Sequence, residues 1–213
     1  MKKVPFYPNH EDDMHCEMSV YASVLDYFLG KKYSWEQLEK LVGFKKRKAA
    51  WTVQPLPKMA AMGLDISMIE PFDYERYLKD GKKYLSTLYS KEEIDWYCEH
   101  SNILEMTKYI PEFLKTVNHQ TRRAILADID SMLKEGRLVF ITVNSRALNN
   151  RPGFVSHALL IFDKEGDDYI AHDPGLPPMP SRKIPAGTLW KAMGGAKNTS
   201  EVTGFKLKVH AKV

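Results

Sequence analysis

Cysteine is scarce in this chain of 213 residues, which contains only Cys16 and Cys98. Two cysteines cannot build the disulfide framework of a small secreted protein, so the expected location is a reducing compartment, the cytoplasm. The sequence also lacks an apolar run of about 18 residues, which argues against a membrane-spanning helix. Residues 1–10 carry two lysines but no apolar segment after them, so no export signal is expected.

The composition is that of an ordinary globular domain. Apolar residues make up 44% of the chain and charged residues 27%, which is enough to bury a sizeable core. The net charge of +4 is mild, and the basic run from Lys45 to Lys48 lacks interleaved aromatic residues. Neither nucleic acid nor a membrane is therefore an expected partner. The length suits one domain over residues 1–213, without internal repeats.

Helical periodicity dominates the first part of the chain. In residues 17–29 apolar side chains recur at spacings of three and four, and Gly30 provides a stop. Ser34 and Gln37 have the spacing of a capping box, which predicts a second helix through Leu41. The remaining helical patterns cover 53–62, 124–134 and, as two or three helices packed beside the core, 72–121.

Strand patterns dominate the later part. The run 138–143 is continuously apolar and rich in β-branched residues, which predicts a strand buried on both faces. Residues 144–153 are predicted to form a loop, and the prolines after Asp173 should end the sheet. The other strand patterns cover 64–69, 155–162, 169–173 and 205–209, with a short helix near 189–193. Helices followed by a mostly antiparallel sheet indicate an α+β fold.

One predicted hairpin brings a histidine towards an aspartate. Residues 164–166 end in glycine and suit a three-residue loop that pairs Asp163 with Asp167. This register would place His157 directly opposite Asp173 on the same face of the sheet. An aspartate beside a histidine fixes the imidazole tautomer and stabilises the protonated ring, as a general base requires. A structural histidine, with an aspartate that starts a turn before proline, is the alternative interpretation.

Cys16 stands at the start of the first predicted helix. A thiol at this place lies at the positive end of the helix dipole, which favours the thiolate, and a protonated histidine nearby would favour it further. Cys16 is therefore the candidate nucleophile, although free cysteines are also common as small core side chains. Cys98 lies within the polar helical stretch, and we interpret it as structural.

A metal site is a second interpretation of the segment around Cys16. His10, Asp12, Asp13, His15 and Cys16 all carry potential ligand atoms, but their spacing matches no established zinc pattern. The sequence therefore predicts neither a metal nor another cofactor. A metal-dependent hydrolase remains the weaker alternative.

Four segments resemble a known family: Val4-Pro5-Phe6-Tyr7-Pro8, Cys16 opening a helix, His157 in an apolar strand, and His172-Asp173-Pro174-Gly175. They are similar to the bacteriocin-processing, double-glycine-leader cysteine peptidases and their stand-alone relatives. The resemblance spans about residues 4–70 and 124–195. It implies a papain-like fold, with Cys16, His157 and Asp173 as a catalytic triad and 72–121 as an inserted helical segment.

Two positions depart from the family pattern. Glu17 follows the cysteine where the family has glycine, and His10 stands where the family has the glutamine that binds the oxyanion. The resemblance then leaves Asn9 or His10, with the backbone N–H of Cys16, as expected oxyanion donors. The predicted function is a thiol-dependent hydrolase that acts on a peptide or amide substrate. An acyltransferase with the same triad and a catalytically inactive papain-like binding module are the alternatives.

Overall fold

The computed structural model describes residues 3–46, 48–49 and 51–208. Arg47 of the basic run and Val209, where the closing strand was predicted to end, lie outside the described residues. Within this part no helix has the length and apolar character needed to cross a membrane.

The described residues include seven strands that form one sheet. Along the chain the strands are β1 (Leu64–Glu70), β2 (Asn118–Thr121), β3 (Leu138–Asn144), β4 (Ser156–Glu165), β5 (Asp168–Asp173), β6 (Met179–Pro185) and β7 (Val202–Leu207). Their order across the sheet is β2-β1-β7-β3-β4-β5-β6. The β1–β2 pair is parallel and the other pairs are antiparallel. The prediction of an α+β chain with a mostly antiparallel sheet is thereby confirmed.

Ten α-helices occur in the same part of the chain. They are α1 (Cys16–Leu29), α2 (Trp35–Val42), α3 (Pro55–Ala61), α4 (Tyr74–Asp80), α5 (Lys82–Leu85), α6 (Lys91–His100), α7 (Ile110–Thr116), α8 (Leu126–Lys134), α9 (Ser145–Leu148) and α10 (Ala186–Ala192). Helix α1 ends at Gly30 in the left-handed conformation, and α2 begins with the predicted capping box of Ser34 and Gln37. These local signals are short-range hydrogen bonds, so the sequence alone could predict them.

Side chains of β3 alternate between two apolar clusters, one on each face of the sheet. Phe140 stacks on Tyr21 of α1 at a ring separation of 5.8 Å, in the cluster that also contains α2 and α3. Val139 and Ile141 belong to the opposite cluster, with α8 and α10. The strand is therefore buried on both faces, as its continuous apolar run predicts. This central position holds α1 against the middle of the sheet.

The stretch 72–121 contains more structure than the predicted two or three helices. It forms α4 to α7, a 3₁₀ turn at Met106–Lys108, and the edge strand β2. The strand Asn118–Thr121 is short and polar, so it has no apolar alternation by which it could be recognised. The prediction of a purely helical segment is wrong at this strand.

Two predictions about the later chain are also wrong. The supposed loop 144–153 contains the one-turn helix α9. The proline-rich stretch does not end the sheet, because β6 pairs with β5 from Met179 to Pro185. β6 lies at the edge of the sheet, where a missing N–H can face away from the neighbouring strand, so prolines are tolerated.

The predicted register of the β4–β5 hairpin is wrong as well. Glu165 pairs with Asp168 around a two-residue turn, and Gly166 has a φ of +61° at its first central position, as in a type II′ turn. A bulge between Ile161 and Asp163 then shifts the pairing, so that Leu160 faces His172. At the end of the hairpin far from the turn, the observed pairing differs from the predicted pairing by an even number of residues. Side chains there consequently keep the faces that were predicted for them.

Candidate active site

The loop before α1 brings the start of this helix close to the end of β5. The amide oxygen of Asn9 accepts hydrogen bonds from the backbone N–H groups of His10 and His15, at 2.9 and 2.8 Å. The backbone N–H of Asn9 donates to the carbonyl of Pro174 at 2.8 Å. Cys16 is the first residue of α1, and Asp173 precedes Pro174. Asn9 thus joins the segment that carries the thiol to the segment that carries the carboxylate.

His157 contacts both other members of the predicted triad. Its Nε2 lies 2.7 Å from Oδ1 of Asp173, and both side chains are buried. Leu160 faces His172, so Asp173 faces residue 159 and reaches His157 as a diagonal neighbour on the same face. The Cys16 side chain lies beside the imidazole, close enough to help raise the pKa of His157. Because Nε2 is taken by the carboxylate, Nδ1 is the ring nitrogen left for the sulfur.

The electrostatics of this group favour a protonated imidazole. Burial alone would lower the pKa of His157, but hydrogen bonds to Asp173 and Cys16, together with their negative charges, raise it to about 10. Burial would raise the pKa of Asp173, yet its partners outweigh this effect and lower the pKa. The arrangement therefore stabilises an imidazolium on His157 beside a carboxylate on Asp173.

Arg182 is a site residue that the sequence did not reveal. Its Nη1 donates to Oδ2 of Asp173 at 2.7 Å, and its Nη2 donates to the side chain of Asn149 at 2.9 Å. The backbone N–H of Gly175 donates to the other carboxylate oxygen at 3.0 Å. Arg182 lies on β6, the strand that was not predicted. Since that strand was missed, no spacing argument could place this arginine beside the aspartate.

A cavity of about 930 Å³ lies beside the triad. It adjoins the edge of the sheet where β1 and β3 end and where β4 and β7 begin. Its wall combines the predicted nucleophile and base with aromatic and acidic side chains, among them Cys16, His157, Trp51, Phe72, Glu70 and Glu201. This volume is within the range of small-molecule and peptide-binding pockets.

Carboxyl groups from three elements line this cavity: Glu17 of α1, Glu70 of β1 and Glu201 just before β7. Ile69 pairs with Val202, so the next pair in this register places Glu70 opposite Glu201. Both are less than a tenth exposed. Burial raises the pKa of Glu17 to about 7, and burial with mutual repulsion raises the pKa of Glu201 well above its usual range. These groups are therefore largely protonated below neutral pH.

Glu17 is the residue that follows Cys16 where the family pattern has glycine, so its protonation state bears on the thiol. One of its carboxyl oxygens is buried and accepts no hydrogen bond. Burial of the carboxyl raises its pKa from 4.5 to about 7. Below that pH the group is neutral, so it does not oppose a thiolate on the adjacent Cys16.

The predicted oxyanion donors are held within their own loop. The Asn9 amide nitrogen donates to Asp13 at 2.8 Å, while the His10 ring lies beside Asp12 and His15. An oxyanion role for either side chain stays a prediction. Cys98 is a free thiol on α6, within the stretch 72–121, and packs against the core.

Neither the protein-family models nor the curated proteins that were searched gave a match to this sequence. The resemblance to the bacteriocin-processing peptidases therefore rests on the residues named above.

Proposed function

We propose that this protein is a thiol-dependent hydrolase of peptide or amide bonds, with Cys16 as nucleophile, His157 as acid and base, and Asp173 as the group that orients His157. The observation that carries the proposal is one buried imidazole that is hydrogen-bonded to the carboxylate and lies beside the thiol at the wall of a cavity. A structural histidine has no need of a cysteine and an aspartate beside its ring at the wall of a cavity. The helix that carries the thiol, packed on an antiparallel sheet, supports a papain-like fold as part of this proposal.

The chemistry begins from the thiolate–imidazolium pair. The sulfur of Cys16 attacks the carbonyl carbon of a bound amide, and the π electrons move to the carbonyl oxygen. When this intermediate collapses, the C–N bond breaks and His157 gives its proton to the leaving amine. A water molecule then gives a proton to His157 and attacks the thioester, which releases a carboxylic acid and restores the thiolate. With an amine in place of water, the same steps would give acyl transfer.

The start of α1 provides charge stabilisation for the intermediate. The first N–H groups of a helix have no acceptor within the helix, and Cys16 contributes the first of them. When the substrate carbon is bonded to the sulfur of Cys16, its oxyanion would lie near this N–H and the positive end of the helix dipole. The second donor expected from the sequence is Asn9 or His10, and either would have to exchange a partner within its loop to serve.

The two free thiols allow an internally controlled test. We expect iodoacetamide at neutral pH to modify Cys16 at least roughly tenfold faster than Cys98, because the thiolate is the reactive form. Peptide mapping of the wild-type chain, Cys16→Ala and Cys98→Ala would measure both rates. Slow and equal labelling of the two cysteines would contradict the proposal.

Turnover is tested with a panel of fluorogenic peptide amides. Cys16→Ala should abolish product formation, and intact-mass spectrometry of the wild-type chain should show a transient acyl adduct on Cys16. Diversion of the acyl group to added hydroxylamine would favour the acyltransferase alternative. If peptides bind equally to the wild-type chain and Cys16→Ser without any adduct, the protein is a binding module.

A further inference from the structure

The loop between Asn9 and α1 turns three potential metal ligands towards one point. Oδ1 of Asp12 lies 2.8 Å from Nδ1 of His15 and 3.3 Å from Nδ1 of His10. All three ligand atoms lie within 4.8 Å of one another. In a tetrahedral site with metal–ligand bonds near 2.0–2.1 Å, neighbouring ligand atoms are about 3.3 Å apart. The spacing therefore fits one small divalent cation, with an adjustment of the loop.

The surroundings of His15 provide a second, independent observation. Its other ring nitrogen, Nε2, lies 2.9 Å from Oε1 of Glu39 on α2. Histidine ligands in metal sites usually donate their second N–H to a carboxylate in this way, which fixes the tautomer and the ring orientation. The His15 side chain is only 2% exposed, and it packs between Trp35 and Phe44. Its Nδ1 is thus held towards Asp12 and His10.

We propose that His10, Asp12 and His15 form a binding site for a first-row divalent transition metal such as Zn²⁺. Two imidazole nitrogens and one carboxylate oxygen suit this class of ion better than Ca²⁺ or Mg²⁺, which prefer oxygen ligands. His10 and Asp12 are partly exposed, so a fourth position is open to water. Asp13 also belonged to the sequence-based metal hypothesis. Its carboxylate instead accepts a hydrogen bond from the side-chain amide of Asn9.

Such an ion would join two elements around the nucleophile. It would hold the loop that immediately precedes Cys16, while Glu39 connects His15 to α2. The site uses neither the thiol nor His157, so metal binding can be measured separately from the proposed hydrolase activity. It would occupy the His10 ring, which leaves Asn9 as the expected side-chain oxyanion donor. We expect metal binding to raise the midpoint of thermal unfolding, because the ion binds the folded loop and not the dispersed ligands of the unfolded chain.

The test uses the full chain without a histidine tag, after treatment with a chelator. Titration with Zn²⁺ against a chromophoric competitor should give one ion per chain, and Co²⁺ should give the visible absorption of a nitrogen–oxygen site. His10→Ala and Asp12→Ala change exposed ligands and should each remove binding while the chain stays folded by circular dichroism. Glu39→Gln should weaken binding roughly 10–100-fold.

Two variants separate this site from other sources of metal affinity. Glu11→Gln removes an exposed carboxylate from the same loop, and Cys16→Ser removes the thiol that could bind Zn²⁺ with His157. Both should keep full binding. If binding persists when His10 and Asp12 are both replaced by alanine, is lost in Cys16→Ser, or is absent from the wild-type chain, the proposal is wrong. His15 is then an ion-pair partner of Asp12 and Glu39 only.

Discussion

Replacing Glu17 by glutamine should increase the stability of the folded protein, relative to the wild type, more at alkaline than at acidic pH. Burial raises the pKa of this carboxyl from an ordinary 4.5 to about 7 in the folded state. Below pH 4.5 the group is neutral in both the folded and the unfolded chain, so its protonation imposes no penalty on folding. As the pH rises from 4.5 to about 7, the unfolded chain ionises first and the wild-type protein loses stability.

The size of this effect follows from the two pKa values. Each pKa unit corresponds to about 1.4 kcal/mol, so the change from 4.5 to about 7 lowers the free energy of unfolding by roughly 3 kcal/mol. Glutamine has a similar shape and does not titrate, so Glu17→Gln should not show this loss. The stability difference between variant and wild type should therefore be about 3 kcal/mol more favourable at pH 8 than at pH 4.

Urea unfolding at pH 4, 6 and 8 would measure this difference. Glu36→Gln is a matched control, because Glu36 is also the second residue of a helix but is exposed. Its effect on the free energy of unfolding should be small and nearly independent of pH. If the curves for Glu17→Gln and the wild type run parallel from pH 4 to pH 8, Glu17 ionises freely and the account of its neutral state beside Cys16 fails.

Three further predictions concern the immediate surroundings of the triad. Gly175→Ala would place a Cβ 3.1 Å from the Asp173 carboxylate and 3.3 Å from the His157 ring, so kcat should fall roughly tenfold or more. Gly187→Ala is the control, because its added Cβ meets nothing within 4 Å, and it should leave kcat unchanged. Asp173→Asn removes a charge that helps to raise the pKa of His157 to about 10, so the alkaline limb of kcat/KM should move to lower pH, and an unmoved limb would contradict that assignment. Arg182→Met removes a charged hydrogen bond from Asp173 and should lower the free energy of unfolding, measured with urea, by about 1.5–3 kcal/mol. If the free energy of unfolding does not fall, solvent replaces the arginine.

Features encoded by neighbouring residues were predictable from the sequence. The helix that begins at Cys16, its stop at Gly30 and the capping box at Ser34 each depend on contacts within a few residues. The buried strand β3 was equally clear, because its apolar run has to be covered on both faces. By contrast, β2 and β6 are edge strands with polar or proline-rich sequences. Such strands exist because a neighbour offers hydrogen bonds, which the sequence of the strand itself does not show.

The contact between His157 and Asp173 shows how two residues can meet although the predicted register was incorrect. The three-residue turn predicted at 164–166 does not form, yet His157 and Asp173 meet. Beyond the bulge the error is two residues, which leaves the side chains there on their predicted faces, so the partners change from directly opposed to diagonal. An error of one residue would have separated them. Arg182 could not be placed because its strand, β6, was not predicted. Glu70 and Glu201 meet through the pairing of β1 with β7, two strands far apart in the sequence, so no local pattern could reveal them.

The opposed carboxyls of Glu70 and Glu201 are a local conflict in the sheet. Like charges directly opposite each other destabilise a pair of strands, and burial adds to the penalty of ionisation. The conflict is reduced by protonation and by hydroxyl donors: Tyr74 donates to Glu70 at 2.5 Å, and Thr203 donates to Glu201 at 2.6 Å. A protonated carboxyl offers one O–H donor and one acceptor, which is the pattern of hydrogen bonds that a peptide group can complete. If the proposed hydrolase activity holds, such a pair at the wall of the cavity beside Cys16 favours an amide substrate over an apolar one.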